Sequence, residues 1–265
     1  MSVFKTEITS DTIPSDNPIH QRLLKPYTVV KQEIRGDVLE LGCGEGRGLD
    51  YILGKAGSYL GVDKIDEVVR KLKIKYPEGQ FIQSLFPPMD KLQSESYDII
   101  ISFQVIEHIR NDRLFLEEIY RLLKPGGMAV ITTPNIRMSL SRNPWHIREY
   151  TSRDLKNLTS SVFDEVVANG ITGNDKVMRY YQDNRKSVEK IMKYDLLDLQ
   201  HRLPAFLLKI PYEILNRMNR KGLIKENDEL VGSIHFEDYI VTDMPDESLD
   251  LFYYLYKKKE PTLAP

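Results

Sequence analysis

The chain of 265 residues contains a single cysteine, Cys43, and a single tryptophan. One cysteine excludes an internal disulfide and fits a reducing compartment. No run approaches the roughly 18 consecutive apolar residues that a membrane-spanning helix needs. The opening segment MSVFKTEITSDTIPSDNP is polar and has no apolar signal-peptide core, so a cytoplasmic location is the expectation. Charge of one sign is not in excess: 37 Lys and Arg stand against 39 Asp and Glu, a formal net charge of -2. That balance does not point to nucleic acid as a partner. Internal repeats and low-complexity tracts are missing too. What remains is an ordinary globular composition, 41% hydrophobic and 29% charged, in a chain long enough for one large domain with a sizeable insertion.

The hydrophobic pattern is regular. Residues 1–16, rich in Ser, Thr, Asp and Pro, read as a loosely packed lead. Leu23, Leu24, Tyr27, Val30 and Ile34 recur at helical spacing between Pro18 and Arg35, and Gly36 stops that helix. Val38–Leu41 then reads as a buried strand, with a helix from Gly46 to Leu53 behind it. Tyr59–Val62 is a second strand, followed by a helix through Val68, Leu72 and Ile74. Phe81-Ile82 marks a third strand and Tyr97–Ser102 a fourth, whose β-branched run suits burial on both faces. A helix from Asp112 to Leu123 ends at Lys124-Pro125-Gly126-Gly127, and Met128–Thr132 is a fifth strand. Thr151–Asp154 looks like a capping box, and Phe163–Val167 a sixth strand. This alternation predicts an α/β, doubly wound, Rossmann-like sheet, with ligands beyond the C-terminal ends of its strands. Three segments are expected: a core over 17–172, a basic helical insertion or lid over 173–225, and a return to the core over 226–258 with a last edge strand. The tail from Lys257 to Pro265 reads as frayed.

The most informative segment is Glu40-Leu41-Gly42-Cys43-Gly44-Glu45-Gly46-Arg47-Gly48. It leaves a strand and opens a helix, where glycines permit sharp turns and close approach of backbone to a ligand. The dinucleotide fingerprint G-x-G-x-x-G fails in both registers, because Arg47 and Leu49 occupy the third-glycine positions. A bare glycine turn without ligand is the plain alternative, and Cys43 in such a loop is not read as a nucleophile. Asp63 ends the second strand about 20 residues further on, where a carboxylate can accept from both hydroxyls of a ribose. It also precedes a helix and could serve there as a cap.

Taken together, VLELGCGEGRG, YLGVD, YDIIISFQVIEHI, LLKPGGMAVITTPN and HIREYTSRDL resemble, in this order, the class I S-adenosylmethionine-dependent methyltransferases of quinone biosynthesis and small-molecule methylation. The resemblance covers roughly Gly36 to Ser160. It implies a seven-stranded sheet with an antiparallel last strand and S-adenosylmethionine as cofactor. It also implies cofactor contacts from Glu40, Gly42, Gly44 and Gly46, ribose binding by Asp63, and contacts near the transferring methyl from Phe103 and Gln104. Glu107 and His108 match the family's E-H pair. Where the family has an acid for the adenine amine, this chain has Gln83-Ser84-Leu85-Phe86, so Ser84 or Gln83 takes that position without a charge.

Methyl transfer to an oxygen is helped by a base, and histidine suits neutral pH. His108 follows the fourth strand. His146 lies in Asn143–Tyr150, a stiff aromatic loop overhanging the site. Glu107, His108 and His146 are therefore the candidate catalytic residues, with the alternatives that His108 orients its helix and that His146 and Glu149 only brace the loop. Glu107 and His108 alone do not make a metal site, and none is assigned. His20, Arg22 and Tyr27 lie on the helix that in the family closes over the cofactor.

In the insertion, Phe206, Leu207, Leu208, Ile210, Tyr212, Ile214, Leu215 and Met218 are flanked by Lys209, Arg217, Arg220 and Lys221. A lid, a homodimer contact, or peripheral membrane contact through 203–221 all fit. The acceptor is expected to be small or lipid-like. Tyr180, Tyr181 and the basic residues suit a charged or sugar-linked acceptor as well, and a protein acceptor and a non-catalytic S-adenosylmethionine binder are the further alternatives. A nucleic-acid methyltransferase is disfavoured, since Thr133-Pro134-Asn135 does not resemble the N-P-P-Y motif.

Overall fold

A computed structural model describes residues 13–193, 195 and 198–259. Residues 1–12 of the expected lead and 260–265 of the expected frayed tail lie outside them. Among the described residues, eight strands form one sheet: β1 (Asp37–Leu41), β2 (Ser58–Asp63), β3 (Gln80–Gln83), β4 (Tyr97–Phe103), β5 (Leu123–Pro134), β6 (Glu165–Gly173), β7 (Tyr239–Thr242) and β8 (Asp250–Tyr256). Their order is β3-β2-β1-β4-β5-β8-β6-β7. β1 to β5 run parallel, and β8 runs antiparallel to both β5 and β6.

The expected α/β sheet with an antiparallel last strand is therefore present, with two corrections. There are eight strands, because Tyr239–Thr242 adds a short antiparallel strand outside β6. The last strand is not at the edge but between β5 and β6, where Leu251, Phe252, Tyr253 and Leu255 are fully buried. Its apolar run reflects that double burial.

Side chains alternate across the sheet into two cores. Val38, Ile99, Ile101, Met128 and Val130 face one side; Leu39, Leu41, Ile100, Ala129 and Ile131 face the other. Helices cover both faces: α1 (Asn17–Val30), α2 (Leu49–Ile52), α3 (Asp66–Lys75), α4 (Asp112–Leu122) and α5 (Ser152–Ser160). Two are shorter than their patterns predict: α1 ends at Val30 rather than Arg35, and α2 begins at Leu49, after the glycine loop, rather than at Gly46. Thr151 caps α5 as expected, its Oγ1 accepting from the Asp154 N–H. The KPGG segment lies within β5 instead of preceding it.

Between β6 and β7 the chain forms α6 (Asp175–Met192), α7 (Leu199–Arg202), α8 (Ala205–Glu226) and α9 (Asp228–Ser233). These helices are tied to the start of the described chain. Asp16, placed in the loose lead by the sequence reading, is fully buried and accepts from Arg217 (3.4 Å) and Arg220 (3.1 Å) of α8. Asn17 Nδ2 donates to the carbonyls of Val231 and Ile234. No helix among the described residues is long and apolar enough to cross a membrane.

Candidate active site

The glycine loop wraps the C-terminal end of β1. Gly42 and Gly44 have φ of +80° and +51°, the left-handed region that side chains resist. The two differ in their surroundings. A Cβ on Gly42 would stand 2.4 Å from Val105 Cγ2, whereas one on Gly44 would meet nothing within 4 Å. Gly44 thus faces open space. Its N–H donates to Asp63 Oδ2 (2.9 Å), and Ile65 N–H donates to Oδ1 (2.9 Å). Asp63 is 7% exposed, and two backbone donors fix its carboxylate, one on each oxygen, which leaves acceptor capacity on both.

These groups line a cavity of about 670 Å³, whose walls include Gly42, Gly44, Asp63, Ser84, Phe103, Gln104 and His108. That volume is typical of a cofactor site. Seven of the expected residues are thereby brought together. Glu40 and Gly46 are not among its lining residues. Glu40 is 1% exposed, its two oxygens accepting from Tyr27 Oη (2.6 Å) and Tyr59 Oη (2.5 Å). Burial pushes its pKa up to about 7 against the pull of those two hydroxyls, with the charge of Asp63 adding to the rise. Gly46 turns towards Leu49 and Leu72. Both build the loop from behind. Burial also drives the Cys43 thiol far up, which removes it as a nucleophile at neutral pH.

Gln104, just past β4, holds φ of +58° without being glycine. Its N–H donates to the Thr132 carbonyl (2.9 Å) and its Nε2 to Thr132 Oγ1 (3.2 Å). Such strain is characteristic of positions that present a side chain to a site. Gln104, His108 and Leu23 also line a second cavity of about 290 Å³, so the two spaces adjoin there.

The second cavity holds the three candidate catalytic residues. Glu107 is 1% exposed and accepts on Oε2 from Thr133 Oγ1 (2.9 Å). His108 Nδ1 is 3.0 Å from the Trp145 carbonyl. A carbonyl only accepts, so Nδ1 carries the proton in the neutral ring and Nε2 the lone pair. His146 Nδ1 lies 2.7 Å from Glu149 Oε1, and its Nε2 2.9 Å from Asn143 Nδ2. The same logic gives His146 the same tautomer. Ser139 donates to the other oxygen of Glu149. The bracing of His146 by Glu149 is thus present, and it is also the way a working imidazole is oriented.

Of the rest of this cavity, the sequence pattern marks Arg22, Tyr180 and Arg220 but neither the partner of Arg22 nor Asn184, Asn216 and Asn219. Arg22 of α1 pairs with Asp250 at the start of β8, Nε to Oδ2 at 3.1 Å, with Asp250 1% exposed. Burial pulls the Arg22 pKa down, but Asp250, Tyr239, Tyr180 and Glu149 outweigh it and the net shift is upward. Burial raises the Asp250 pKa, with Arg22 opposing. Tyr180 and Asn184 of α6 and Asn216, Asn219 and Arg220 of α8 add polar groups, Asn219 Nδ2 donating to Asn184 Oδ1 (2.7 Å). Their spacing of three or four residues on otherwise amphipathic helices was the available signal. The loop carrying His146 is tied to the inserted helices as well. Trp145 Nε1 donates to Glu213 Oε1 (2.9 Å), Lys209 Nζ sits 3.9 Å from the centre of the Trp145 ring, and Arg142 Nη1 donates to the Gln200 carbonyl (2.7 Å).

Residues 39–131 match the family described as "Methyltransferase domain". A Mycolicibacterium smegmatis protein named "Probable S-adenosylmethionine-dependent methyltransferase" is 36% identical over 135 residues, 49% of this chain and 52% of that protein. The mitochondrial ubiquinone biosynthesis O-methyltransferase of Rattus norvegicus is 33% identical over 112 residues, 37% of this chain and 30% of that protein. The chain spans about half the length of the first of these and less of the second. Among solved structures, a SAM-dependent methyltransferase of Thermotoga maritima superposes with a TM-score of 0.55 at 15% identity, covering 91% of this chain and 92% of that one, a likeness of fold.

Proposed function

We propose that this chain, which belongs to the class I S-adenosylmethionine-dependent methyltransferase family, methylates an oxygen of a small or lipid-like acceptor in the cytoplasm. The observation that carries the reading is Asp63. This buried carboxylate is aimed by the Gly44 and Ile65 N–H groups into a large cavity, which adjoins a second one at Gln104 and His108.

S-adenosylmethionine, when bound, supplies an electrophilic methyl on its sulfonium. The chain's own residues bind and orient. Gly42 and Gly44 give the backbone close approach to the methionine part, and Gly44 has the open space for it. Asp63 accepts from the ribose hydroxyls, Ser84 lies on the adenine side, and Phe103 and Gln104 face the reacting end. The acceptor occupies the smaller cavity, its polar part towards Arg22 and the asparagines of α6 and α8. Glu107, His108 and His146 stand where an acceptor hydroxyl enters, and the lone pair on His108 Nε2 suits removal of its proton.

The surface of α8 fits a lipid-like acceptor. Phe206, Ile210, Ile214 and Met218 are each 50% exposed or more, with Lys221 nearby, an arrangement suited to an anionic membrane surface. Flotation with anionic vesicles tests this: the chain is expected to co-float, and Ile210→Glu/Ile214→Glu to stay behind. No flotation of the wild-type chain sinks the membrane reading, and a homodimer in sedimentation would assign the face to a second copy.

Calorimetric titration with S-adenosylmethionine and, separately, with NADH tests the core reading. Micromolar binding of S-adenosylmethionine is expected. Asp63→Ala is expected to weaken it roughly 100-fold or more, since two hydrogen bonds to a charged acceptor are worth about 1.5–3 kcal/mol each. Binding of NADH alone refutes the cofactor assignment. Cofactor binding without turnover on any hydroxylated acceptor would make the chain a non-catalytic S-adenosylmethionine binder.

A further inference from the structure

We infer that Glu107, His108 and His146 form a divalent-cation site at the junction of the two cavities, which takes the acceptor oxygen as a further ligand. The inference rests on the function proposed above and refines its proton-removal step. The three residues each offer one ligand atom, and those atoms lie within 4.8 Å of one another. The rings of His108 and His146 meet edge-on with centroids 5.0 Å apart.

Proximity alone is weak; the outer contacts are what distinguish this cluster. A metal-binding histidine typically donates its other ring N–H to a carboxylate or a backbone carbonyl, which fixes the tautomer and leaves the lone pair for the ion. Both histidines do so: His108 through Nδ1 to the Trp145 carbonyl, and His146 through Nδ1 to Glu149 Oε1. The carboxylate ligand is held too, by Thr133 Oγ1. All three candidate ligands therefore have an orienting contact. At His146 Nε2 an ion would replace the bond from Asn143 Nδ2.

The donor set indicates the ion. Two neutral imidazoles and one carboxylate suit Mn²⁺, Fe²⁺, Co²⁺ or Zn²⁺, whereas Mg²⁺ and Ca²⁺ prefer oxygen ligands. Three protein ligands leave coordination positions open, and these face the cavity assigned to the acceptor. A hydroxyl bound there loses its proton to water at a lower pH than when free, because the cation stabilises the oxyanion. This is the same task that a lone histidine base would perform, now distributed over three ligands. The proton goes to solvent and no other bond changes in that step.

The test uses the untagged full chain, stripped with a chelator and titrated with Co²⁺ by calorimetry and by visible absorption. One Co²⁺ per chain is expected, with the d–d bands of a nitrogen and oxygen site. Glu107→Gln and His146→Ala are expected to weaken Co²⁺ binding at least 100-fold, and Glu149→Gln about 10- to 100-fold. S-adenosylmethionine affinity, measured on the same samples, is expected to stay within about threefold, which shows that each variant is folded. Absence of Co²⁺ binding in a chain that binds S-adenosylmethionine overturns the inference, as does undiminished, wild-type Co²⁺ affinity in all three variants. Co²⁺ bound at these residues by a chain that does not bind S-adenosylmethionine would leave the metal site standing and refute the methyl-transfer reading instead.

Discussion

Replacing Glu40 by glutamine removes a charge that the fold holds at a disadvantage. Glu40 is 1% exposed, and its pKa is pushed up from 4.5 to about 7, mainly by burial. A rise of about 2.5 units corresponds to roughly 3 kcal/mol of differential stability, at about 1.4 kcal/mol per unit. The sign follows from where the proton sits. Between pH 4.5 and pH 7 the folded chain keeps the Glu40 proton while the unfolded chain releases it. The stability from this group is thus complete below pH 4.5 and lost as pH rises towards 7. Glu40→Gln keeps the shape, can still accept from one tyrosine, and does not titrate. Urea denaturation followed by circular dichroism should show the wild-type chain losing about 2–3 kcal/mol relative to Glu40→Gln between pH 5 and pH 8. Parallel profiles would mean that the hydroxyls of Tyr27 and Tyr59 hold Glu40 ionised throughout, and the reasoning would be wrong. The outcome bears on the site, because Tyr27 lines the larger cavity and its ring occupies the space where a Gly48 Cβ would stand.

Gly44→Ala should cost only about 1–2 kcal/mol of stability, the strain of a side chain at positive φ, yet lower S-adenosylmethionine affinity at least tenfold in calorimetry by filling the open face of the loop. Gly42→Ala should cost more stability than Gly44→Ala, because its Cβ would stand 2.4 Å from Val105; equal losses in thermal melts would contradict the packing described. Arg22→Met leaves Asp250 buried without its cation and should cost about 3–5 kcal/mol, whereas Arg22→Met/Asp250→Leu should recover most of it; the comparison is made by urea denaturation, and a double variant no better than the single one refutes the pairing. Trp145→Phe removes the hydrogen bond to Glu213 and should cost about 1 kcal/mol locally, seen as roughly fivefold faster hydrogen exchange across 205–226; no change there means that Trp145 does not anchor α8.

The parts of the molecule legible in the sequence are those whose cause is local. The glycine loop and Asp63 sit at consecutive strand ends, so strand-helix alternation alone puts them side by side. Position next to the loop was a poorer guide for Glu40 and Gly46: nothing near Glu40 in the chain indicates that Tyr27 and Tyr59 will take both its oxygens. β7 was missed because four residues, Tyr239–Thr242, carry too little periodicity to stand out after a long helical stretch. β8 was found but misplaced, since a continuous apolar run reports burial on both faces without naming the neighbours. The pairing of His146 with Glu149 at three residues' spacing was legible as a loop brace. Its meeting with His108 and Glu107, and the Arg22–Asp250 pair from opposite ends of the chain, depend on tertiary contacts that no local pattern carries.

The two cavities accordingly differ in what builds them. The larger is made chiefly from strand ends and loops within residues 39–131, the span that matches the methyltransferase family, with Leu23, Tyr27, Trp145, Ile147 and Lys209 closing it from outside that span. The smaller draws Glu107 and His108 from that span, but His146, Asn184, Asn216, Asn219 and Arg22 from outside it. His146 reaches it on a loop that Trp145 and Arg142 fasten to α8 and to Gln200 of α7, and Arg22 on a helix whose N-terminal end is tied to α8 and α9 through Asp16 and Asn17. A single set of inserted helices therefore positions the polar wall, the third candidate ligand and the exposed apolar face. Substitutions at Asn216, Asn219 and Arg220 of α8, which line the smaller cavity and not the larger, should alter acceptor choice while leaving the cofactor wall intact, so divergence in acceptor among such proteins is expected to concentrate in the insertion rather than in the sheet.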